Sequence, residues 1–139
     1  MGFSAGGHLA STLATHSSGD AVANFQILFY PVISMENGIT HKGSRDNLLG
    51  SKPKRKEVNE YSNEQHVSKH TPRAFIALAG DDRSVPPANS LSYYEELRNS
   101  KVPAAIHIYS TGGHGFGIRQ SFPSHLEMMM ELKAWLGSF

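Results

Sequence analysis

Three short apolar segments constrain the fold of this chain more than any other feature of its sequence. They are FQILFY at 25–30, AFIALA at 74–79 and AAIHIY at 104–109. The first two are almost continuously apolar, which is typical of parallel strands that are covered on both faces. Leucine and aromatic residues with helical spacing predict helices at about 7–15, 88–100 and 122–136. The order helix, strand, polar segment, strand, helix, strand, helix therefore predicts an α/β fold built on a parallel sheet.

Residues 34–71 differ in composition from the rest of the chain. They are polar, have few apolar anchors and include a basic cluster at 52–56, which we interpret as a solvated face. The segment is interpreted as a long surface excursion with one or two short helices. The alternative is a lid over a pocket, because long loops in compact domains are often functional. With 139 residues, the chain 1–139 fits a single domain.

The composition argues against several classes of protein. Thirteen basic and twelve acidic side chains give a net charge of +1, which argues against a dedicated nucleic-acid binder. No apolar run approaches the roughly eighteen residues of a membrane span. There is no cysteine, which excludes disulfides and cysteine nucleophiles. No metal or cofactor is predicted, because His66 and His70 lack the glutamate of an H-E-x-x-H motif and segment 113–117 is not followed by the third glycine of a dinucleotide loop.

The start of the chain fits the pattern G-x-S-x-G, with Gly2, Ser4 and Gly6 at its fixed positions. A nucleophile on a sharp strand-to-helix turn lies in strained backbone, and small neighbours let other segments approach it closely. At the N-terminus of a helix, the dipole and the free N–H groups stabilise developing negative charge. The alternative interpretation is a glycine-rich turn in which Ser4 only caps the first helix.

Further polar groups follow two of the predicted strands. DDRSVP lies at 81–86, after the second strand, and GGHGFG lies at 112–117, after the third. Ligands bind outside the carboxyl ends of the strands in open parallel sheets. Ser4, Asp82 and His114 are therefore expected to converge on one edge of the sheet. Their order along the chain, Ser–Asp–His, is that of the α/β-hydrolases.

As an ordered set, these segments resemble the C-terminal portion of an α/β-hydrolase of the carbohydrate-esterase and lipase-like type, such as the acetyl xylan esterases. The resemblance rests on MGFSAGGHLAS, LLG at 48–50, SNEQHVSKHTPRAF, DDRSVPPANSLSYYEELR, VPAAIHIY and GGHGFG. It implies that Ser4 is the nucleophile, Asp82 the acid and His114 the general base. Asp82 is preferred to Asp81, because the family's pattern places the acid four residues before a proline, here Pro86.

The same resemblance implies a serine ester hydrolase that needs no cofactor or metal and acts on acylated carbohydrates or other small-molecule esters. The backbone N–H of Ala5 is the expected oxyanion donor, and Phe116 and Val85 are candidates for the substrate pocket. Two alternatives stay open. One is a serine peptidase of the prolyl-oligopeptidase type, which shares the turn and the order of the three residues, and the other is a non-catalytic hydrolase fragment.

An intact α/β-hydrolase has strands before its nucleophile and an HGGG-type loop that supplies a second oxyanion donor. Neither is found in this sequence, so the chain is expected to be truncated before the strand that enters the nucleophile turn, and to be poorly active alone. The strand at 25–30 is then expected to have an unpaired edge, through which copies of the chain form a homo-oligomer. The first residues are not a signal peptide, although the family likeness suggests a secreted or periplasmic protein.

Overall fold

The computed structural model describes all residues 1–139. Its strands and α-helices follow one another along the chain as β1 (Gly2–Phe3), α1 (Ala5–His16), β2 (Phe25–Phe29), α2 (Lys42–Leu49), α3 (Arg55–Glu60), β3 (Arg73–Ala79), α4 (Ala88–Asn99), β4 (Ala104–Tyr109) and α5 (His125–Leu136). Two short 3-10 helices lie at Gly19–Ala21 and Asn63–His66. None of the helices combines the length and apolarity that a membrane span requires.

The four strands form one parallel sheet in the order β1-β2-β3-β4. Leu28 pairs with Ile76, and Ile76 pairs with Ile106, so the apolar segments lie side by side. Parallel neighbours need a crossover connection, and α1 and α4 provide two of them. The predicted parallel α/β fold is confirmed.

The main hydrophobic core surrounds β2 and β3. Leu28, Phe75 and Ile76 are fully buried in it, and Tyr93 of α4 and Met128 of α5 pack against these strands. The continuous apolar character of 25–30 and 74–79 follows from this burial, because helices cover both faces of a parallel sheet.

The elements differ from the sequence prediction in several details. Tyr30 was expected in β2, but its φ of +37° turns the chain out of the strand. Phe122 was expected in the last helix, which begins at His125. No strand was expected before Ser4, whereas β1 pairs with Leu28 and Phe29 of β2. β1 therefore pairs with β2 only at the C-terminal end of β2.

The excursion 34–71 contains α2, α3 and the second 3-10 helix, and buried polar groups fix its ends. Asn89 Oδ1 accepts hydrogen bonds of 3.0 Å from the backbone N–H groups of Ile33 and Ser34. Ser34 Oγ donates to Glu64 at 2.6 Å, and Asn63 donates to Ser11 of α1 at 2.8 Å. Burial raises the pKa of Glu64. The excursion is thus attached to α1 and α4 by polar side chains, a type of residue that is usually expected at the surface.

Candidate active site

Ser4 occupies the sharp turn between β1 and α1. Its φ of 52° and ψ of −123° are strained for a residue that carries a side chain. Three backbone segments hold this conformation: Ser4 N–H donates to the Phe29 carbonyl at 3.1 Å, and the Ser4 carbonyl accepts from Gly7 at 2.9 Å and from Val32 at 3.0 Å. The Ser4 side chain makes no capping hydrogen bond to α1, so the alternative interpretation, in which Ser4 only caps this helix, is wrong.

The side chains of Ser4, His114 and Asp82 form one chain of hydrogen bonds. Ser4 Oγ lies 2.8 Å from His114 Nε2, and His114 Nδ1 lies 2.7 Å from Asp82 Oδ2. The Asp82 side chain is 1% exposed, and its Oδ1 accepts hydrogen bonds from the N–H groups of Ser84 and Val85 at 2.8 and 3.0 Å. The loop after β3 therefore fixes the orientation of the carboxylate, and the carboxylate fixes that of the imidazole.

Asp81, the alternative acid of the sequence analysis, points elsewhere. Its Oδ1 accepts a 2.7 Å hydrogen bond from the backbone N–H of Gly113. Neighbouring aspartates thus hold the histidine loop at two points, Asp81 at the backbone and Asp82 at the ring of His114.

The ring of Tyr30 packs against the imidazole of His114, a contact that sequence reasoning missed. The centroid of the Tyr30 ring lies 4.8 Å from that of the imidazole and 4.7 Å from that of Phe116, both in edge-to-face contacts. The rings of Phe116 and Phe122 are stacked, with their centroids 4.1 Å apart. The Tyr30 N–H donates to the carbonyl of Ala77 in β3 at 2.7 Å, and burial raises the pKa of its phenol. An aromatic residue at the end of a buried strand, beside the predicted site, was the available signal.

The two predicted pocket residues lie in different surroundings. Phe116 is 5% exposed and borders a cavity of about 160 Å³ together with His114 and Arg119. Val85 is 3% exposed and packs in a small apolar cluster with Val32 and Met35. Val85 contributes to the site through its backbone hydrogen bond to Asp82.

Ala5 begins α1 directly after Ser4. The first N–H groups of a helix have no partner within the helix, so the Ala5 N–H is available to an oxygen atom beside Ser4. Ala5 also borders a cavity of about 350 Å³ between α1 and the excursion. The excursion, interpreted from sequence as a surface loop or a lid, forms one wall of this cavity.

No group of three or more histidine, aspartate or glutamate side chains is arranged to hold a metal ion. In the H-x-x-x-H pair noted in the sequence, His66 Nε2 lies 2.8 Å from the Asn59 carbonyl oxygen at the end of α3.

The packing of the turn against the segment after β2 depends on Gly7. A Cβ at Gly7 would lie 2.6 Å from Pro31 Cβ, whereas a Cβ at Gly6 meets nothing within 4 Å. We expect Gly7→Ala to lower the free energy of unfolding by about 1–3 kcal/mol, because the helix must shift. Gly6→Ala, the matched control, should raise it by about 0.5–1 kcal/mol, since alanine favours a helix. Denaturant titration measures both, and a stabilising Gly7→Ala would contradict this packing.

The chain matches the prolyl oligopeptidase family (Peptidase_S9) over residues 1–137. It is 44% identical over 142 residues to the acetylxylan esterase of Xylanibacter ruminicola, covering 99% of this chain and 30% of that protein. It is 35% identical over 129 residues to endo-1,4-beta-xylanase B of Butyrivibrio fibrisolvens, covering 85% of this chain and 20% of that protein. The chain thus spans less than a third of the curated relatives that it matches.

Solved structures share the fold. The acetyl ester-xyloside bifunctional hydrolase from Caldicellulosiruptor lactoaceticus superposes with a TM-score of 0.87 at 35% identity, over 98% of this chain and 55% of that one. The carboxylesterase Cest-2923 from Lactobacillus plantarum gives a TM-score of 0.77 at 24% identity, over 98% of this chain and 56% of that one. At this identity the similarity shows a shared fold only. The sheet, the strained turn and the matched segment agree: the chain belongs to the prolyl oligopeptidase family and has the α/β-hydrolase fold of carbohydrate esterases.

Proposed function

We propose that this chain carries the catalytic residues of a serine ester hydrolase that acts on acylated carbohydrates or other small esters through an acyl-enzyme. The observation that carries this proposal is the continuous hydrogen-bond chain from Ser4 Oγ through His114 to Asp82. In such an arrangement the imidazole acts as the base that activates the serine hydroxyl, and the carboxylate orients the imidazole.

The reaction begins with proton transfer. His114 Nε2 accepts the Ser4 hydroxyl proton as Oγ attacks the ester carbonyl carbon. Asp82 accepts the Nδ1–H hydrogen bond, holds the tautomer that leaves Nε2 free, and stabilises the imidazolium. The N–H of Ala5 donates to the oxyanion of the tetrahedral intermediate.

The intermediate collapses when the ester C–O bond breaks. His114 gives its proton to the leaving alcohol oxygen, and the acyl group stays bound to Ser4 Oγ. A water molecule then attacks the acyl carbon while His114 takes its proton. His114 gives this proton to Ser4 Oγ as the bond between Oγ and the acyl carbon breaks, and the carboxylic acid is released with Ser4 restored.

The names of two similar proteins favour an acylated carbohydrate as substrate. One is an acetylxylan esterase and the other an acetyl ester-xyloside bifunctional hydrolase. The family name favours a second candidate, a serine peptidase that uses the same three residues on an amide bond.

A comparison of an ester substrate with an amide substrate separates the two candidates. We expect the chain to hydrolyse p-nitrophenyl acetate and a fluorophosphonate probe to label Ser4, located by mass spectrometry. Faster turnover of a proline p-nitroanilide than of the acetate would favour the peptidase. A folded chain that hydrolyses neither substrate and is not labelled would contradict both and favour the non-catalytic fragment.

A further inference from the structure

The cavity between α1 and α2 begins at Ala5, the residue after the candidate nucleophile, and its walls are mostly apolar. Ala5 and Leu9 line it on α1, Leu48 on α2, and Met35 and Tyr61 complete the wall. Leu9 and Leu48 are 72% and 47% exposed, so their side chains have apolar surface left to bury. With about 350 Å³ the cavity lies in the range of pockets for small organic groups, and it is far larger than the methyl of an acetyl group needs.

The polar groups of these walls are mostly engaged within the protein. His8 Nε2 lies 2.8 Å from the Tyr61 carbonyl oxygen, and Thr12 Oγ1 donates to the His8 carbonyl at 2.9 Å. Ser44 Oγ lies 2.9 Å from His41 Nδ1. Burial lowers the pKa of His8, which favours an uncharged imidazole. A sugar, with several hydroxyl groups to satisfy, would lose its hydrogen bonds to water here and find few replacements.

The direction of the cavity relative to the reacting atoms decides which part of an ester it holds. It follows α1 from Ala5 to Thr12, a rise of about 10 Å. No residue of the histidine loop lines it. The leaving alcohol must lie within hydrogen-bonding distance of His114 Nε2, which protonates it. The alcohol therefore lies on the His114 side of Ser4 and the oxyanion lies at the Ala5 N–H. The acyl group, the remaining substituent of the reacting carbon, extends away from His114 toward the cavity that Ala5 borders.

We propose that the cavity between α1 and α2 is the acyl-binding site and takes apolar acyl groups larger than acetyl, such as short alkyl chains. This inference rests on the proposed ester hydrolase function and names the acyl class of its substrate. Among the lining polar side chains, those of Asn47 and Tyr61 make no hydrogen bond within the chain.

The test compares p-nitrophenyl acetate, butanoate and hexanoate, which share one leaving group. Each buried methylene is worth about fourfold in kcat/KM. Butanoate has two more methylenes than acetate, so its kcat/KM should be higher by about fifteenfold. Leu48→Trp fills the cavity and should bring the butanoate-to-acetate ratio of kcat/KM close to one. The control is Leu136→Trp, a 40% exposed leucine at the end of α5, which should leave the ratio unchanged.

The failure of this inference is distinguishable from that of the proposed function. Equal kcat/KM for the three esters, or a ratio that Leu48→Trp leaves unchanged, would overturn the acyl site while the ester hydrolase stands. If no ester is hydrolysed, the proposed function fails, and calorimetric titration of the Ser4→Ala chain with methyl hexanoate decides the inference. Saturable binding that Leu48→Trp abolishes would support the site, and the absence of binding would overturn it.

Discussion

Ser4→Ala is expected to lower kcat for p-nitrophenyl acetate by roughly 10⁴- to 10⁶-fold, the range seen when a serine nucleophile is removed. The substitution removes the oxygen that forms the acyl-enzyme and leaves His114 without its 2.8 Å partner. Unfolding stability should change by no more than about 1 kcal/mol, because one hydrogen bond of a half-buried hydroxyl is lost. Initial rates and a denaturant titration measure the two effects.

The matched control is Ser92→Ala. Ser92 is half-buried on α4, and its hydroxyl makes one hydrogen bond of 3.1 Å to the Asn89 carbonyl. It should keep the full rate. A Ser4→Ala chain that hydrolyses the ester as fast as the Ser92→Ala chain would show that Ser4 is not the nucleophile.

Asp82→Asn is expected to lower kcat by roughly 10⁴-fold near neutral pH. The asparagine carbonyl would keep the hydrogen bonds from the Ser84 and Val85 N–H groups, because these two donors require an acceptor. The amide NH₂ would then face His114 Nδ1 and hold the imidazole in the tautomer with its proton on Nε2. That tautomer is unable to accept the proton of Ser4.

Asp81→Asn is the control for this effect. Asp81 is exposed and bonds a backbone N–H, which an asparagine carbonyl accepts equally well, so kcat should fall by less than about tenfold. Both variants are assayed for initial rates, with near-UV circular dichroism to verify the fold. A larger loss in Asp81→Asn than in Asp82→Asn would reverse the assignment of the acid.

The fold could be predicted from the sequence, and so could the meeting of Ser4, Asp82 and His114 at one edge of the sheet, because local patterns indicate both. Continuous apolar runs indicate strands that are buried on both faces, and glycines around a serine indicate a strained turn. The position of Asp82 and His114 just beyond two strands places both at one edge, because parallel strands end at the same edge. The family pattern before Pro86 favoured Asp82 over Asp81, and the 2.7 Å contact to His114 agrees with that preference.

Other features depended on contacts between distant residues. The positive φ of Tyr30 and its ring under His114 arise from packing against the loop after β4. Val85 was a candidate pocket residue, and its burial beside Met35 follows from how the excursion folds back. No local pattern encodes these arrangements, since each requires segments more than 40 residues apart to meet.

The sequence by itself determined the parallel sheet, the strained turn and the order of serine, aspartate and histidine. The reason is that each depends on short motifs that can be recognised without knowing which distant residues they contact. Only the tertiary structure decided the side-chain distances, the polar attachment of the excursion and the cavity between α1 and α2. Buried polar side chains such as Asn63 and Ser34 look like surface residues in a sequence, and only the folded chain supplies the partners that make their burial stable.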